Sequence, residues 1–235
     1  MIKKNFGVFN LIINLCIFWF INYILNNDKK KGRLICKEKF QVIVDEVLRK
    51  YIRGLLKEMP IKADFVNTYK TAQTVHRDQR RRSGEEYFEH PKAVRNIVAR
   101  MYPKDRIAQL AALLHDTLED YEKGGVYNSE AEVIDAITTG IEDPSETNQV
   151  LATVQALTHD KSIPYTSYLI DLASDETALR VKLADMLHNS MSSPSEKQKN
   201  KYRTAFGELL VHFNGSVPGI SKSHIDALNG VLNAS

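Results

Sequence analysis

A-A-L-L-H-D-T-L-E-D, residues 111–120, places a histidine and an aspartate directly behind the most apolar run of the chain's body. Ile107, Leu110, Ala111, Leu113, Leu114 and Leu118 recur at three- and four-residue spacing, so the periodicity predicts one helix over residues 105–120. Neighbouring helix residues point about 100° apart, so His115 and Asp116 can approach a common ion lying between them. Glu119 and Asp120 follow four residues later, which places them on the faces of His115 and Asp116 respectively. Four ionisable groups on one side of an apolar helix cost several kcal/mol if they are buried without partners. A bound cation removes that cost. The competing reading has a His-Asp pair near solvent and a solvated last turn; against it, two acids at a helix C-terminus oppose the macrodipole.

Two more stretches extend the set. His90-Pro91 stands at the start of the preceding helix, where proline suits the first position. Asp185 lies in a segment where Leu179, Leu183 and Leu187 mark one face and Val181, Ala184 and His188 lie near another; Asn189, four residues on, shares the face of Asp185. His90, His115, Asp116 and Asp185 thus form a nitrogen and oxygen donor set from three helices. Without a thiolate, that set suits Mn2+, Fe2+, Mg2+ or Zn2+ rather than copper.

The remaining body is also helical by pattern. Helices are expected over residues 65–76, from Pro91 through Met101, over 130–139 with Gly140 as a C-terminal cap, and over 146–157, 164–173, 176–189, 195–213 and 221–232. No alternating stretch is long enough for a strand. Loops are expected at residues 80–86, 122–129 and 192–194. The expected fold class is all-α, an irregular multi-helix bundle.

The whole chain has 235 residues, 43% of them hydrophobic and 26% charged, enough for one ordinary domain with an appendage. A net charge of +3 is too mild to indicate a nucleic-acid partner. Cys16 and Cys36 provide neither a disulfide framework nor C-x-x-C spacing. The appendage is residues 1–59, and the body is residues 60–235. Residues 6–25 form a nearly uncharged apolar run of membrane-spanning length. Lys29, Lys30, Lys31 and Arg33 follow it, which would place the body in the cytoplasm. The run therefore reads as an N-terminal hydrophobic helix and membrane anchor. The opposing reading is an extension from an upstream start, with Met59 as the alternative; Asn10, Asn14 and Asn22 and the abundance of Phe, Ile, Asn and Lys favour it. A connecting helix is expected over residues 40–56.

The order His90, His115-Asp116, Asp185 resembles the metal-binding pattern of HD-domain phosphohydrolases. H-R-D-Q-R-R-R-S-G-E-E-Y-F-E-H-P (residues 76–91), A-A-L-L-H-D-T-L-E-D (111–120) and V-K-L-A-D-M-L-H-N (181–189) are similar to the hydrolase domain of RelA/SpoT proteins and to small stand-alone alarmone hydrolases. A-L-T-H-D (156–160) resembles the small members, and the similarity runs from about Phe65 to Tyr202. It implies an HD-type helical bundle without a synthetase domain. It also implies one Mn2+ held by His90, His115, Asp116 and Asp185, with Glu119 and Asp120 as catalytic acids. Arg81, Arg82 and Ser83 would line the guanosine site, and Asn189 would contact the substrate. The implied reaction is hydrolysis of guanosine-3′,5′-bis(diphosphate) at the 3′ position, releasing pyrophosphate. A divalent ion lowers the pKa of bound water and neutralises phosphoryl charge, and arginine suits both phosphate and a stacked base.

The chain departs from the family's pattern in places. Arg82 replaces a lysine, Glu86 replaces a proline, and Ser190-Met191-Ser192 stands where Met-Arg-Thr is common. These departures keep two other readings open: a nucleotidase or related nucleotide phosphohydrolase, and a catalytically silent nucleotide-binding module. His76 is expected to pack or to support the site, and His159 and His188 are expected to be structural or peripheral.

Overall fold

A computed structural model describes residues 63–234 apart from Ser193. The expected hydrophobic helix and anchor at residues 6–25, the connecting helix at 40–56 and the boundary near Met59 lie outside the described residues. Among the described residues, no helix is long and apolar enough to cross a membrane.

The described residues are helical. The order is α1 (Ala63–Val75), α2 (Glu89–Met101), α3 (Arg106–Leu114), α4 (Thr117–Asp120), a 3-10 turn (Tyr121–Gly124), α5 (Glu130–Gly140), α6 (Pro144–Leu157), α7 (Tyr165–Asp171), a second 3-10 turn (Leu172–Ser174), α8 (Glu176–Met191), α9 (Glu196–His212) and α10 (Lys222–Asn233). No strand occurs among the described residues; Arg80 and Glu86 form an isolated antiparallel bridge across the arginine loop.

Side-chain caps explain where most helices start. Asp105, Ser129, Asp143, Asp175, Ser195 and Ser221 each accept an N–H from the first turn that follows them. Asp143 and Pro144 open α6 two residues ahead of the expected Glu146, with proline at the first position, where its missing N–H costs nothing. Helix α2 begins at Glu89 rather than Pro91.

The helix expected over residues 105–120 is interrupted at His115-Asp116. Side chains take the carbonyls that would continue it: Thr117 Oγ1 donates to Leu114 O (2.7 Å), and His115 Nδ1 lies 2.9 Å from Ala112 O. Such local competition for carbonyls ends helices. A new turn then starts with Asp120 N–H donating to Asp116 O (3.0 Å).

Helix α8 divides the core. Ala178, Val181 and Ala184 join a cluster built with α1 to α6, including Leu110, Leu114, Val94 and Val150. Leu179, Leu183, Met186 and Leu187 join a second cluster with Leu169, Phe206, Leu209 and Leu228. A helix buried on both sides is held along most of its length, so Asp185, His188 and Asn189 project from a rigid rod. Away from this helix, Arg106 joins α1, α3 and α6. It pairs with Asp64 and with Glu146 (2.8 Å), while Asp64 also accepts the Glu142 N–H (3.0 Å). Glycine is needed where the first 3-10 turn meets α1, because a Cβ on Gly124 would run into the Val75 carbonyl.

His224 on α10 is fully buried, with its Nδ1 3.0 Å from the Tyr102 hydroxyl. Burial pushes its imidazole down to about 4. Below about pH 6.5 the unfolded chain binds a proton that the folded chain refuses until near pH 4, so His224 removes stability as pH falls through that window. Between pH 7 and pH 5 the loss amounts to about 2 kcal/mol. Urea unfolding at the two pH values should show it, and His224→Leu should shrink the difference by about that amount; an unchanged difference would refute the assignment.

Candidate metal centre

Three backbone segments meet at one point. The loop after α1 returns on itself through Tyr87 N–H donating to Gln79 O (2.9 Å), which delivers His90 as the second residue of α2. The interruption between α3 and α4 turns His115 and Asp116 toward His90. Helix α8 supplies Asp185.

The approach is close. His90 Nε2 lies 3.2 Å from His115 Nε2, 3.1 Å from Asp185 Oδ1 and 3.7 Å from Asp116 Oδ2. His115 Nε2 lies 3.1 Å from Asp116 Oδ2 and 3.8 Å from Asp185 Oδ1. Two donors each about 2.1 Å from one ion stand about 3.0 Å apart at a right angle and about 3.4 Å apart at a tetrahedral angle. The observed separations fall around those values. The two facing Nε2 atoms are buried, and only one of them can hold a proton without N–H confronting N–H. A cation between them and Asp185 satisfies all three, so His90, His115 and Asp185 fit a divalent metal ion, with Asp116 beside them.

Charge is matched within the cluster. Burial pulls the His115 imidazole down, but Asp116 and then Asp185 outweigh it and raise the group to about 9. Burial pushes Asp116 up, yet His115 and His90 hold it well below the usual carboxylate range. For Asp185, Lys182 is the strongest opponent of burial, followed by His90, and the result is again a depressed carboxyl. Lys182 Nζ stands 3.2 Å from Asp185 Oδ2. Both carboxyls are therefore held in the ionised form.

An outer ring orients these groups. The Tyr87 hydroxyl donates to Asp116 Oδ2 (2.7 Å), and burial followed by Asp116 raises that phenol above its ordinary value, so it stays a donor. Asn189 Nδ2 donates to Asp185 Oδ1 (2.6 Å), and Arg81 donates to Asn189 Oδ1 (2.7 Å). A cleft of about 390 Å³ opens beside the cluster. It is lined by Arg80, Arg81, Arg82 and Ser83 from the loop, by Ser192, Pro194 and Gln198 from the α8–α9 region, and by Tyr87, His90, Asp116, Asp185 and Asn189. The structure thus brings Arg81, Arg82, Ser83 and Asn189 to the same cleft as three of the expected ligands, with His115 buried beside them.

Glu119 and Asp120 are placed differently from the expectation of one shared helix face. The interruption at His115-Asp116 separates them from that face. Glu119 is exposed and accepts the His159 N–H (3.2 Å). Asp120 is buried and pairs with Lys123, and its carbonyl accepts from Gln79 (3.4 Å). Neither lines the cleft. His76 packs on Tyr87, ring centroids 4.8 Å apart, in keeping with a supporting role. Sequence reasoning missed Tyr87 and Lys182. Lys182 stands three residues before Asp185 on α8, the spacing that puts two helical side chains on one face, whereas Tyr87 lies in the loop ahead of α2 and meets Asp116, far away in sequence.

The comparisons with known proteins agree with this architecture. The HD-domain family matches residues 68–210, and the chain belongs to that family. Its relatives include the GTP pyrophosphokinase of Streptomyces coelicolor, 34% identical over 140 residues that make up 57% of this chain and 16% of the relative. The guanosine-3′,5′-bis(diphosphate) 3′-pyrophosphohydrolase of Haemophilus influenzae is 30% identical over 149 residues, 60% of this chain and 20% of the relative. The bifunctional (p)ppGpp synthase/hydrolase RelA of Mycobacterium tuberculosis is 32% identical over 165 residues, 63% of this chain and 20% of the relative. The matched region is thus a fifth or less of each of these proteins, and within the HD-domain family the chain is RelA/SpoT-like.

Metal-stripped protein should take up one divalent ion per chain and gain thermal stability on doing so. Asp185→Ala should lose both effects. Calorimetric titration and a melting curve check this, and an Asp185→Ala protein that still binds with wild-type affinity would place the ion elsewhere.

Proposed function

We propose that the chain is a metal-dependent phosphohydrolase that cleaves guanosine-3′,5′-bis(diphosphate) at the 3′ position and releases pyrophosphate. The observation that carries this reading is the continuity of one cleft between the His90–Asp116–Asp185 cluster and the Arg80–Ser83 loop. Such a cleft pairs a cation site with guanidinium groups, as a nucleotide bearing diphosphates requires. The 3′-pyrophosphohydrolase name of the Haemophilus influenzae relative supports the choice of reaction.

A divalent ion, Mn2+ by family resemblance, would be held by His90, His115, Asp116 and Asp185 and would supply a water of lowered pKa and neutralise phosphoryl charge. The chain's own groups do the rest. Arg81, Arg82 and Ser83 bind the guanosine and its phosphates, with Arg81 anchored on Asn189. Asn189 meets the substrate from the cleft wall while its amide nitrogen keeps Asp185 in place. Glu119 and Asp120, four residues beyond His115 and Asp116, would orient water and take up its proton, a role that family resemblance assigns and that requires them to turn into the cleft, which neither lines. Of these two, Asp120 starts paired with Lys123, so its proton transfer requires that pair to loosen. A cytoplasmic body, tethered or not through residues 6–25, is where such a nucleotide is met.

One observation favours a second reading, a phosphohydrolase acting on another nucleotide. Met191 stands where the family commonly has arginine, and it is 65% exposed and outside the residues that line the cleft, so that position offers the cleft no guanidinium.

Mn2+-loaded protein incubated with ppGpp, NADPH and simple nucleotides should release pyrophosphate from ppGpp. Orthophosphate from simple nucleotides, with ppGpp untouched, would transfer the assignment to the second reading. Glu119→Gln should keep its metal and lose about 10²–10⁴-fold in kcat. Loss of the metal in that variant would contradict its role. Arg82→Ala should chiefly raise KM; a fall in kcat at constant KM would instead place Arg82 in the transition state.

A further inference from the structure

Each imidazole that ligates a metal through Nε2 carries its proton on Nδ1 and needs an acceptor there. For His115 the acceptor is at hand, since Ala112 O lies 2.9 Å from its Nδ1. His90 has no such carbonyl. The Tyr87 carbonyl, one turn earlier, is occupied by His90's own N–H (2.9 Å). Among the described residues, the hydrogen-bond partner of His90 Nδ1 is another imidazole nitrogen, His188 Nδ1, at 2.7 Å. The rings are tilted by 33° with centroids 4.9 Å apart.

Helix α8 explains why His188 is in place. Asp185, His188 and Asn189 are i, i+3 and i+4, so one face of the helix presents all three. Asp185 faces the cluster, Asn189 bonds Asp185, and His188 bonds the far side of His90. The side of His188 that meets His90 is turned away from the Nε2 atoms, so His188 is not a fifth ligand.

We infer that His188 is a positioning residue: its unprotonated Nδ1 accepts the His90 Nδ1–H and so fixes the tautomer and the ring plane in which His90 Nε2 can ligate. The inference rests on the metal-site reading above and deepens it. The opposite direction of this hydrogen bond fails. If His188 donated, the His90 proton would move to Nε2, 3.1 Å from Asp185 Oδ1. His90 would then be a donor to that carboxylate and no ligand.

Two variants of the full chain separate acceptor chemistry from packing. Asparagine places Oδ1 close to where histidine has Nδ1, so His188→Asn keeps an acceptor without the ring. Phenylalanine keeps a ring without an acceptor. Calorimetric titration with Zn2+ or Mn2+ should show His188→Phe weakened by about 10- to 100-fold and His188→Asn close to wild type. Imidazole nitrogen NMR of the Zn2+-loaded protein should show a protected Nδ1 proton on His90 in wild type and His188→Asn, and its loss in His188→Phe. Wild-type affinity in His188→Phe overturns the inference, as does a His188→Asn protein as weak as His188→Phe. Wild-type protein that binds neither ion overturns the metal-site reading itself, which keeps the two failures distinct.

Discussion

Two buried imidazole nitrogens held 3.2 Å apart, each within 4 Å of two carboxylates, are the arrangement that the rest of the described structure serves. Left to itself such a cluster resists burial, because ionised groups lose far more hydration than a single contact returns. It persists here because the surroundings supply compensating charge and hydrogen bonds on every side. Lys182 opposes Asp185, Tyr87 donates to Asp116, Asn189 donates to Asp185, and the Ala112 carbonyl lies beside His115. Each of these partners is delivered by a helix end or a helix face, so the geometry of the helices and the electrostatics of the cluster are one constraint.

That constraint accounts for the two least regular features of the fold. The first is the interruption between α3 and α4. A continuous helix would carry His115 and Asp116 about 100° apart on a straight cylinder. The turn that replaces it brings both to His90 and ties off the freed, buried carbonyls of Ala112 and Leu114 through His115 and Thr117. The second is the burial of α8 between two apolar clusters. Asp185, His188 and Asn189 lie in its C-terminal half, and the surrounding leucines and alanines leave that stretch little freedom to rotate away from the site.

These two features also explain what was legible in the sequence. The helices were readable because Leu110, Leu114, Leu179 and Leu183 repeat at the helical period and are buried as that period requires. The cluster of His90, His115 and Asp185 was readable because histidine and aspartate interrupt the apolar pattern at His115-Asp116 and Asp185. The positions of Glu119 and Asp120 were not readable. Apolar spacing continues through Leu118 as though the helix were whole, while the competition by Thr117 Oγ1 for the Leu114 carbonyl leaves no mark on that spacing. Contacts between distant segments were equally hidden: the Asp64–Arg106–Glu146 network joins residues 42 and 40 positions apart. So does the pairing of His90 with His188, 98 positions apart. Periodicity reports which way a side chain faces, and not which partner awaits it.

The outer ring has a further consequence for how binding and metal are related. Arg81 lies on the loop that lines the cleft, yet its guanidinium bonds Asn189, whose other end bonds Asp185. A single asparagine therefore links a cleft arginine to a carboxylate of the candidate metal centre through two hydrogen bonds of 2.7 and 2.6 Å. The Arg81 guanidinium has five N–H donors, so it can hold Asn189 and still offer donors to the cleft. Lysine, with one ammonium on a flexible stem, does not combine a fixed planar bond to Asn189 with a second directed donor into the cleft. The requirement for a planar cation at residue 81 thus follows from the position of Asn189, and the position of Asn189 follows from Asp185, four residues earlier on the rigid helix that divides the core.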